Sequence, residues 1–187
     1  MNAVEYLDRH WGPRSVWTHL KNKKHRHRLA TCASFVRGET FCDVGCAFGH
    51  STEILASFRP GKWTGVEFSR DAVMKAYEYF PNGEWLYMID VEGLCLLADH
   101  FDSCVCSEVM EHVEDDALLV RRVVEIARSR AVFSTPSVRV NDPGHLRLYT
   151  ADSLCELFAP WPHRIFHEPP FFYIVVDREG KVPGNEF

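Results

Sequence analysis

From residue 40 onward, the chain alternates short apolar runs with longer stretches in which apolar residues recur with a helical period. The first pattern is typical of buried strands, and the second of helices that pack against them. Strands that alternate with helices in this way predict a mainly parallel α/β sheet with helices on both faces. The predicted strands are 40–44, 63–67, 85–89, 101–106, 131–134, 165–167 and 171–176, and the predicted helices are 50–58, 69–79, 94–98, 115–127 and a last one between Thr150 and Pro160.

Two flanking segments lie outside this alternation. Residues 1–38 precede the first strand and are predicted to form one or two helices, one of which opens near Pro13. Residues 179–187 form a tail that is expected to fray. No repeat, low-complexity stretch or linker interrupts residues 39–178, so this segment is predicted to be one domain.

Composition and charge narrow the class of protein. The chain has 187 residues, of which 46% are hydrophobic and 25% charged, as expected for an ordinary globular domain. A balance of 21 basic against 26 acidic residues disfavours nucleic acid as a partner. The basic run at residues 21–28 is therefore interpreted as a solvated helix face. Within it, Arg26 or Arg28 is a candidate to turn inward towards the carboxylate of a cofactor.

The cysteines and the absence of long apolar runs predict a cytoplasmic protein. Seven cysteines are an odd number without a Cys-x-x-Cys pair, which favours buried free thiols in a reducing cytoplasm. No signal peptide and no apolar run of 18 residues is visible, so neither secretion nor a membrane span is expected.

The first strand ends in a glycine loop with an acid just before it. Gly45 allows a tight turn, and Gly49 allows the next helix to pack close to the strand. Asp43, two residues before Gly45, would repel a pyrophosphate at the helix N-terminus. The ligand is therefore predicted to be a cationic nucleoside without phosphate, which S-adenosylmethionine (SAM) satisfies. Asp43 and the backbone of Cys46 would then receive the methionine end of this cofactor.

The next three strands also end in polar residues or are followed by them. Glu67 lies 24 residues beyond Asp43, near the usual offset for an acid that binds ribose hydroxyls. Asp90 follows the third strand and would accept from the adenine amino group. The backbone of Ser107, after the fourth strand, would complete the methionine end of the site. Phe68 would lie against the adenine ring and Val91 beside it, although both side chains also suit a plain core.

A third group combines acids and histidines. If a helical turn begins at Glu108, then Glu111 and His112 share one face with it. Such a cluster suits either magnesium or manganese, with His145 as a further ligand, or metal-free deprotonation of a hydroxyl by His112 or His145. A structural cap that binds loop amides is the third reading. The segment 137–148 is long for a connection and is expected to cover the acceptor site.

These motifs resemble those of the class I SAM-dependent methyltransferases, most closely the broad group that contains the ubiquinone-biosynthesis O-methyltransferases. Two departures are Ala-Arg-Ser-Arg at 127–130, where Lys-Pro-Gly-Gly is usual, and Ala47, where many relatives carry glycine. The resemblance implies a Rossmann-like doubly wound sheet of seven strands in the order 3-2-1-4-5-7-6. The shared features are Asp-x-Gly-x-x-x-Gly at 43–49, Val-Glu at 66–67, Glu-x-x-Glu-His at 108–112, Ser-Thr-Pro at 134–136 and the segment 145–150.

The resemblance also implies the reaction. We expect O-methylation of a small-molecule hydroxyl by a monomer or homodimer, with SAM as cofactor and a divalent cation as an option. The alternative within the same fold is an enzyme that methylates the 2′-hydroxyl of the 3′-terminal ribose of small RNAs. Enzymes of that kind also show a Glu-x-x-Glu-His segment. Against it, only His145 stands in the later motif, where those enzymes carry two histidines and a tryptophan. A non-catalytic cofactor-binding subunit is the alternative from another class.

Overall fold

The computed structural model describes residues 21–178, and both the helix predicted near Pro13 and the predicted tail lie outside this range. The strands are β1 (Thr40–Val44), β2 (Lys62–Glu67), β3 (Glu84–Tyr87), β4 (Phe101–Ser107), β5 (Ala127–Pro136), β6 (His163–Glu168) and β7 (Phe171–Asp177). The α-helices are α1 (Lys23–Phe35), α2 (His50–Phe58), α3 (Arg70–Tyr79), α4 (Asp116–Ile126) and α5 (Ala151–Phe158). Short 3-10 helices, Glu92–Leu97 and Met110–His112, follow β3 and β4.

The seven strands form one sheet in the order β3-β2-β1-β4-β5-β7-β6. Neighbouring strands from β3 to β5 are parallel, whereas β7 is antiparallel to both of its neighbours. The predicted sheet and its strand order are confirmed. In such a sheet the order reverses between β1 and β4, and the binding crevice lies beyond the carboxyl ends of these two strands.

Successive residues of the central strands face opposite sides of the sheet, as the strand period requires. Cys104 and Cys106 belong to the buried cluster that includes Leu119 of α4. Val105, between them, belongs to a second cluster with Leu29 of α1. Helices therefore cover both faces of the sheet, and the apolar runs that predicted β1 and β4 are buried on both sides.

Side-chain caps mark the start of four of the described α-helices, and Asn22 is the cap of α1. Ser69 and Thr150 accept hydrogen bonds from backbone amides of α3 and α5. Asp115 does the same for α4, with a distance of 2.9 Å from its Oδ1 to the Leu118 nitrogen. Each cap satisfies an amide that the helix itself leaves without a partner.

Only β1 has the predicted bounds, and the other six strands differ from them by one to four residues at one or both ends. β5 begins at Ala127 rather than at residue 131, and it follows α4 without a turn. Its early residues look polar, but Arg130 is only 6% exposed and its Nε donates to Asp177 of β7 at 2.7 Å. β3 ends at Tyr87 rather than at residue 89, and Ile89 is 80% exposed.

All seven cysteines lie within the described residues, and each is a free thiol. Five are buried, as expected, whereas Cys95 and Cys155 are exposed. Within residues 21–178, no helix has the length and apolar character needed to cross a bilayer.

Asp102 ties the start of β1 to β4. Its Oδ2 accepts from the backbone amides of Glu39 and Thr40 at 2.9 and 3.0 Å, and its Oδ1 accepts from Arg128 at 3.2 Å. The Glu39 amide is the largest of the contributions that lower the pKa of this carboxyl from 3.8 to about 2. The charged form of Asp102 therefore stabilises the fold.

We expect Asp102→Asn to lower the free energy of unfolding by about 1 to 2 kcal/mol at pH 7, a value reduced for the partial exposure of the side chain. Asparagine keeps an oxygen that can accept from both amides but loses the charge. Because the folded pKa lies below the unfolded one, the contribution is complete above about pH 4 and is lost as the pH falls towards about 2. Urea unfolding at pH 7 and pH 3 checks this. An equal difference between the two proteins at both pH values would contradict it.

Candidate cofactor and acceptor site

The glycine loop between β1 and α2 contains three residues in the left-handed region. Gly45, Ala47 and Gly49 have φ values of 79°, 48° and 82°. The amides of Gly45 and Cys46 donate to the Val66 carbonyl of β2 at 2.8 and 3.1 Å. The loop thus lies over the carboxyl ends of β1 and β2. The left-handed φ of Ala47 is a conformation that glycine adopts at lower cost than alanine.

Position 45 requires glycine because of the limited space around it as well as because of its backbone conformation. A Cβ atom at this position would lie 2.4 Å from a methyl carbon of Val109. Val109 follows β4, so the loops after β1 and β4 meet at Gly45. This contact brings the candidate cofactor loop against the segment that carries the acidic and histidine residues.

Asp43 is buried beneath this loop. Its side chain is only 2% exposed, and Oδ2 accepts from the hydroxyls of Ser51 and Thr52 at 2.8 and 2.7 Å. Burial raises the pKa of the Asp43 carboxyl. Glu67 ends the neighbouring strand β2, and the negative charge of Asp43 also helps to raise its pKa. An anionic pocket of this kind suits a cationic nucleoside and opposes a phosphate.

Glu67 joins the loops that follow β1 and β2. Its Oε2 accepts from the Ala47 amide at 2.8 Å, and its Oε1 accepts from the amides of Phe68 and Ser69 at 2.7 and 2.9 Å. The side chain is 5% exposed, and burial raises its pKa. Both carboxylate oxygens of Glu67 already accept from backbone amides, so a ribose hydroxyl that donated to Glu67 would use an oxygen that also accepts from an amide.

The residues after β3 form a bend. Asp90 is exposed, three residues beyond the end of the strand, and its Oδ1 accepts from the Gly93 amide at 2.9 Å. Phe68 and Val91 are partly buried and pack against the main core cluster. Their roles at an adenine ring remain predictions. Asp90 lies just before the 3-10 helix and not at the end of strand β3.

Glu108 does not begin a helical turn, so the expectation that it shares a helical face with Glu111 and His112 is wrong. Its φ is 60°, its amide donates to the Ser134 carbonyl at 2.9 Å, and the 3-10 helix starts only at Met110. The side chain of the neighbouring Ser107 likewise contacts Ser134, with 2.7 Å between the two hydroxyl oxygens.

The carboxylate of Glu108 instead meets Arg28 of α1. The distance from Arg28 Nη1 to Glu108 Oε2 is 2.9 Å, and Arg28 is 4% exposed. The guanidinium also lies 5.1 Å from the centre of the Phe171 ring. Arg28 is therefore the residue of the basic run that turns inward, whereas Arg26 is exposed.

Glu111, His112 and His145 come together at the carboxyl end of β4. One ligand atom of each lies within 4.8 Å of the other two. The two imidazole rings meet edge to face, with 4.6 Å between their centres. The connection after β5 is held against this cluster, because the Leu146 amide donates to the Glu111 carbonyl at 2.8 Å. His112 Nδ1 and the Gly144 carbonyl, 3.0 Å apart, form a second link.

Burial dominates the electrostatics of the cluster. Glu111 is 1% exposed, and burial followed by the charge of Glu108 raises its pKa well above the usual range. Burial lowers the pKa of both His112 and His145, which favours neutral imidazoles. Glu111 Oε2 accepts from the Thr135 hydroxyl at 3.2 Å, but Oε1 is buried without a hydrogen bond among residues 21–178. In the sequence, Thr135 belongs to the Ser-Thr-Pro motif at 134–136, which predicts no role for it at this cluster.

Comparisons with known proteins agree with this geometry. Residues 42–135, half of the chain, match the family described as a methyltransferase domain. The ubiquinone biosynthesis O-methyltransferase of Neisseria meningitidis serogroup C is 24% identical over 133 residues, which cover 67% of this chain and 55% of that enzyme. The corresponding enzyme of Aeromonas salmonicida is 24% identical over 59% of this chain and 48% of its own length. The chain thus spans about half the length of these relatives.

Solved structures show the same fold. A SAM-dependent methyltransferase from Aquifex aeolicus has a TM-score of 0.68 at 14% identity, over 87% of this chain and 97% of that one. Magnesium protoporphyrin IX methyltransferase from Synechocystis PCC 6803, solved with bound S-adenosylhomocysteine (SAH), has a TM-score of 0.66 at 14% identity. That match covers 93% of this chain and 95% of that one.

Proposed function

This chain belongs to the class I SAM-dependent methyltransferases, and we propose that it methylates a hydroxyl oxygen of a small molecule. The observation that carries this proposal is the cluster of Glu111, His112 and His145, which can remove a hydroxyl proton. The segment that holds Glu111 and His112 meets the glycine loop where Val109 lies against Gly45. The relatives named as O-methyltransferases support the same acceptor class, at 24% identity.

The residues around the loop fit a cationic nucleoside. Two buried carboxylates supply negative charge, and the left-handed loop leaves backbone open to a close approach. When bound, SAM supplies a methyl group on an electrophilic sulfonium. We assign its site to Asp43, Gly45, Cys46, Gly49, Glu67, Phe68, Asp90, Val91 and Ser107.

We add Arg28 to this assignment as the partner of the cofactor's carboxylate. Arg28 Nε is buried and has no hydrogen-bond partner within the described part of the chain, so the guanidinium retains a donor. Its ion pair with Glu108 holds it near the carboxyl end of β4. A guanidinium is well suited to a carboxylate because its donors are fixed in one plane.

The protein's contribution to methyl transfer is alignment and proton removal. The Gly144 carbonyl can only accept a hydrogen bond, so His112 Nδ1 carries the proton of the neutral ring. His112 Nε2 then has the lone pair, which can take the proton of the acceptor hydroxyl or bind a cation. As the new oxygen–carbon bond forms and the carbon–sulfur bond breaks, this proton is released, so no further reactant is needed.

A methyl-transfer assay on the purified full chain tests the proposal. The protein is incubated with isotopically labelled SAM and a panel of phenols and sugars, with a small-RNA pool in parallel. We expect label on an oxygen of a small molecule, as located by mass spectrometry. Label on the RNA 3′-terminal ribose would replace the proposal by the RNA alternative. SAH binding without transfer to any acceptor would favour the non-catalytic subunit.

A further inference from the structure

We propose that Asp116, the first residue of α4, is a positioning residue that holds the His145 imidazole against His112. This inference rests on the proposed function and deepens it, since it concerns how the proton-removing cluster is assembled. His145 lies in the connection after β5, where residues 137–150 form neither helix nor strand. Without the backbone bonds of a regular element, the direction of its side chain depends on contacts with the rest of the chain.

Side chains along residues 145–149 alternate between the surface and the interior. Leu146 and Leu148 are 46% and 48% exposed. His145 and Arg147 are partly buried, and Tyr149 is only 6% exposed. An extended chain has this period of two, so every second side chain lies on the same side. His145, Arg147 and Tyr149 therefore share the side that faces the protein.

Asp116 binds two of these three side chains. Its Oδ2 accepts from the Tyr149 hydroxyl at 2.7 Å and forms an ion pair with Nη1 of Arg147. Nη2 of Arg147 donates to the Glu114 carbonyl at 2.8 Å, which fixes the plane of the guanidinium at the start of α4. Rotation of the segment about its own axis would turn His145 away from the cluster, and it would break both contacts with Asp116.

The protonation of Tyr149 suits this arrangement. A carboxylate can only accept a hydrogen bond, so the hydroxyl must donate to Asp116. Burial, followed by the hydrogen bond to Asp116, raises the pKa of the Tyr149 hydroxyl, which therefore keeps its proton at neutral pH. The same hydroxyl oxygen lies 3.3 Å from the carbonyl of Met110, the residue before Glu111. Tyr149 thus joins the segment after β4 to the connection that carries His145.

Backbone and side-chain contacts have different effects on this connection. The Leu146 amide, which donates to the Glu111 carbonyl at 2.8 Å, holds one point of the chain beside the cluster. A single bond of this kind allows the segment to rotate about its axis, whereas the two side chains bound to Asp116 prevent that rotation. The outcome is the edge-to-face contact of the His112 and His145 rings, whose centres are 4.6 Å apart.

A nuclear Overhauser effect between the two rings provides the test. Rings in this arrangement bring carbon-bound protons close enough for the signal, which NMR of the full chain with isotopically labelled histidine detects. We expect Asp116→Ala to lose the signal and to lower turnover of the methylated acceptor by about tenfold to a hundredfold, while SAH affinity stays within about threefold. Asp116→Asn keeps an oxygen that can accept from Tyr149, so it should retain the signal and most of the turnover.

Asp115→Ala is the matched control, because it removes the neighbouring carboxylate, which caps the same helix through the Leu118 amide. It should keep the signal and the parental turnover. A parental signal or parental turnover in a folded Asp116→Ala would overturn the proposal, as would equal losses in Asp115→Ala. If thermal melting shows that Asp116→Ala is unfolded, Tyr149→Phe removes only the hydroxyl and is expected to weaken the same signal. A parental signal in Tyr149→Phe would then overturn the proposal.

The same measurements separate the positioning role from the proposed function. If Asp116→Ala loses the signal while the parent methylates no hydroxyl, the proposed function fails and the positioning role stands. If the parent methylates a hydroxyl and Asp116→Ala keeps the signal, the positioning role fails and the proposed function stands.

Discussion

Replacing Asp43 with alanine is expected to weaken SAM binding by at least about thirtyfold, because removing one member of a buried charge interaction costs about 2 kcal/mol or more. Asp43 is 2% exposed beneath the glycine loop, where its charge would face the cationic end of the cofactor. The substitution also removes the acceptor of two hydroxyls at the start of α2. Isothermal titration calorimetry with SAM measures the effect, and thermal melting confirms the fold.

Two further substitutions separate charge from loop anchoring. Asp43→Asn retains an oxygen for the Ser51 and Thr52 hydroxyls but removes the charge, whereas Thr52→Val removes one hydroxyl and keeps the charge. We expect the asparagine variant to lose affinity and the valine variant to stay within about threefold of the parent. SAM, which carries the sulfonium charge, should lose more affinity than SAH in Asp43→Asn. Parental affinity of Asp43→Asn for SAM would show that the residue only anchors the loop.

Most of the fold could be predicted because its signals are local. Apolar runs that are buried on both faces predicted β1 and β4, and the helices predicted from residue 69 and after Thr150 begin next to side-chain caps in the structure. Asp43 and Glu67 stand near the carboxyl ends of successive parallel strands, so they were predicted to lie at the same edge of the sheet. These features depend on residues close in sequence, so a single chain is enough to find them.

The features that could not be predicted depend on distant partners. Arg28 and Glu108 are 80 residues apart, and only the packing of α1 against the sheet brings them together. The left-handed backbone at Glu108 has no sequence signal, because glutamate rarely adopts it. Likewise, Arg130 looked like part of a loop until Asp177 of β7 gave it a buried partner. Such residues combine unusual conformation or burial with a partner from another element.

The second large effect is expected at His112, which is assigned to the methyl acceptor and not to the cofactor. We expect His112→Ala to lower turnover by about a hundredfold or more while SAH affinity stays within about threefold, since loss of a proton-removing group typically has this size. His112 lies beyond β4 with His145 and Glu111, whereas the acids assigned to the cofactor lie near the carboxyl ends of β1 and β2 and after β3. Initial rates at saturating SAM and acceptor, together with calorimetric SAH titration, measure the two effects.

His112→Asn distinguishes chemistry from loop anchoring. The side chain of His112 contacts the Gly144 carbonyl through Nδ1, so the alanine variant could also loosen the connection after β5. An asparagine amide can donate to the same carbonyl but has no counterpart of Nε2, which is the atom expected to take the proton. We therefore expect His112→Asn to be as slow as His112→Ala, and His100→Ala, at the far end of β4, to match the parent. Turnover restored by asparagine would mean that His112 only holds the loop, because the one function that asparagine can replace is the hydrogen bond to Gly144.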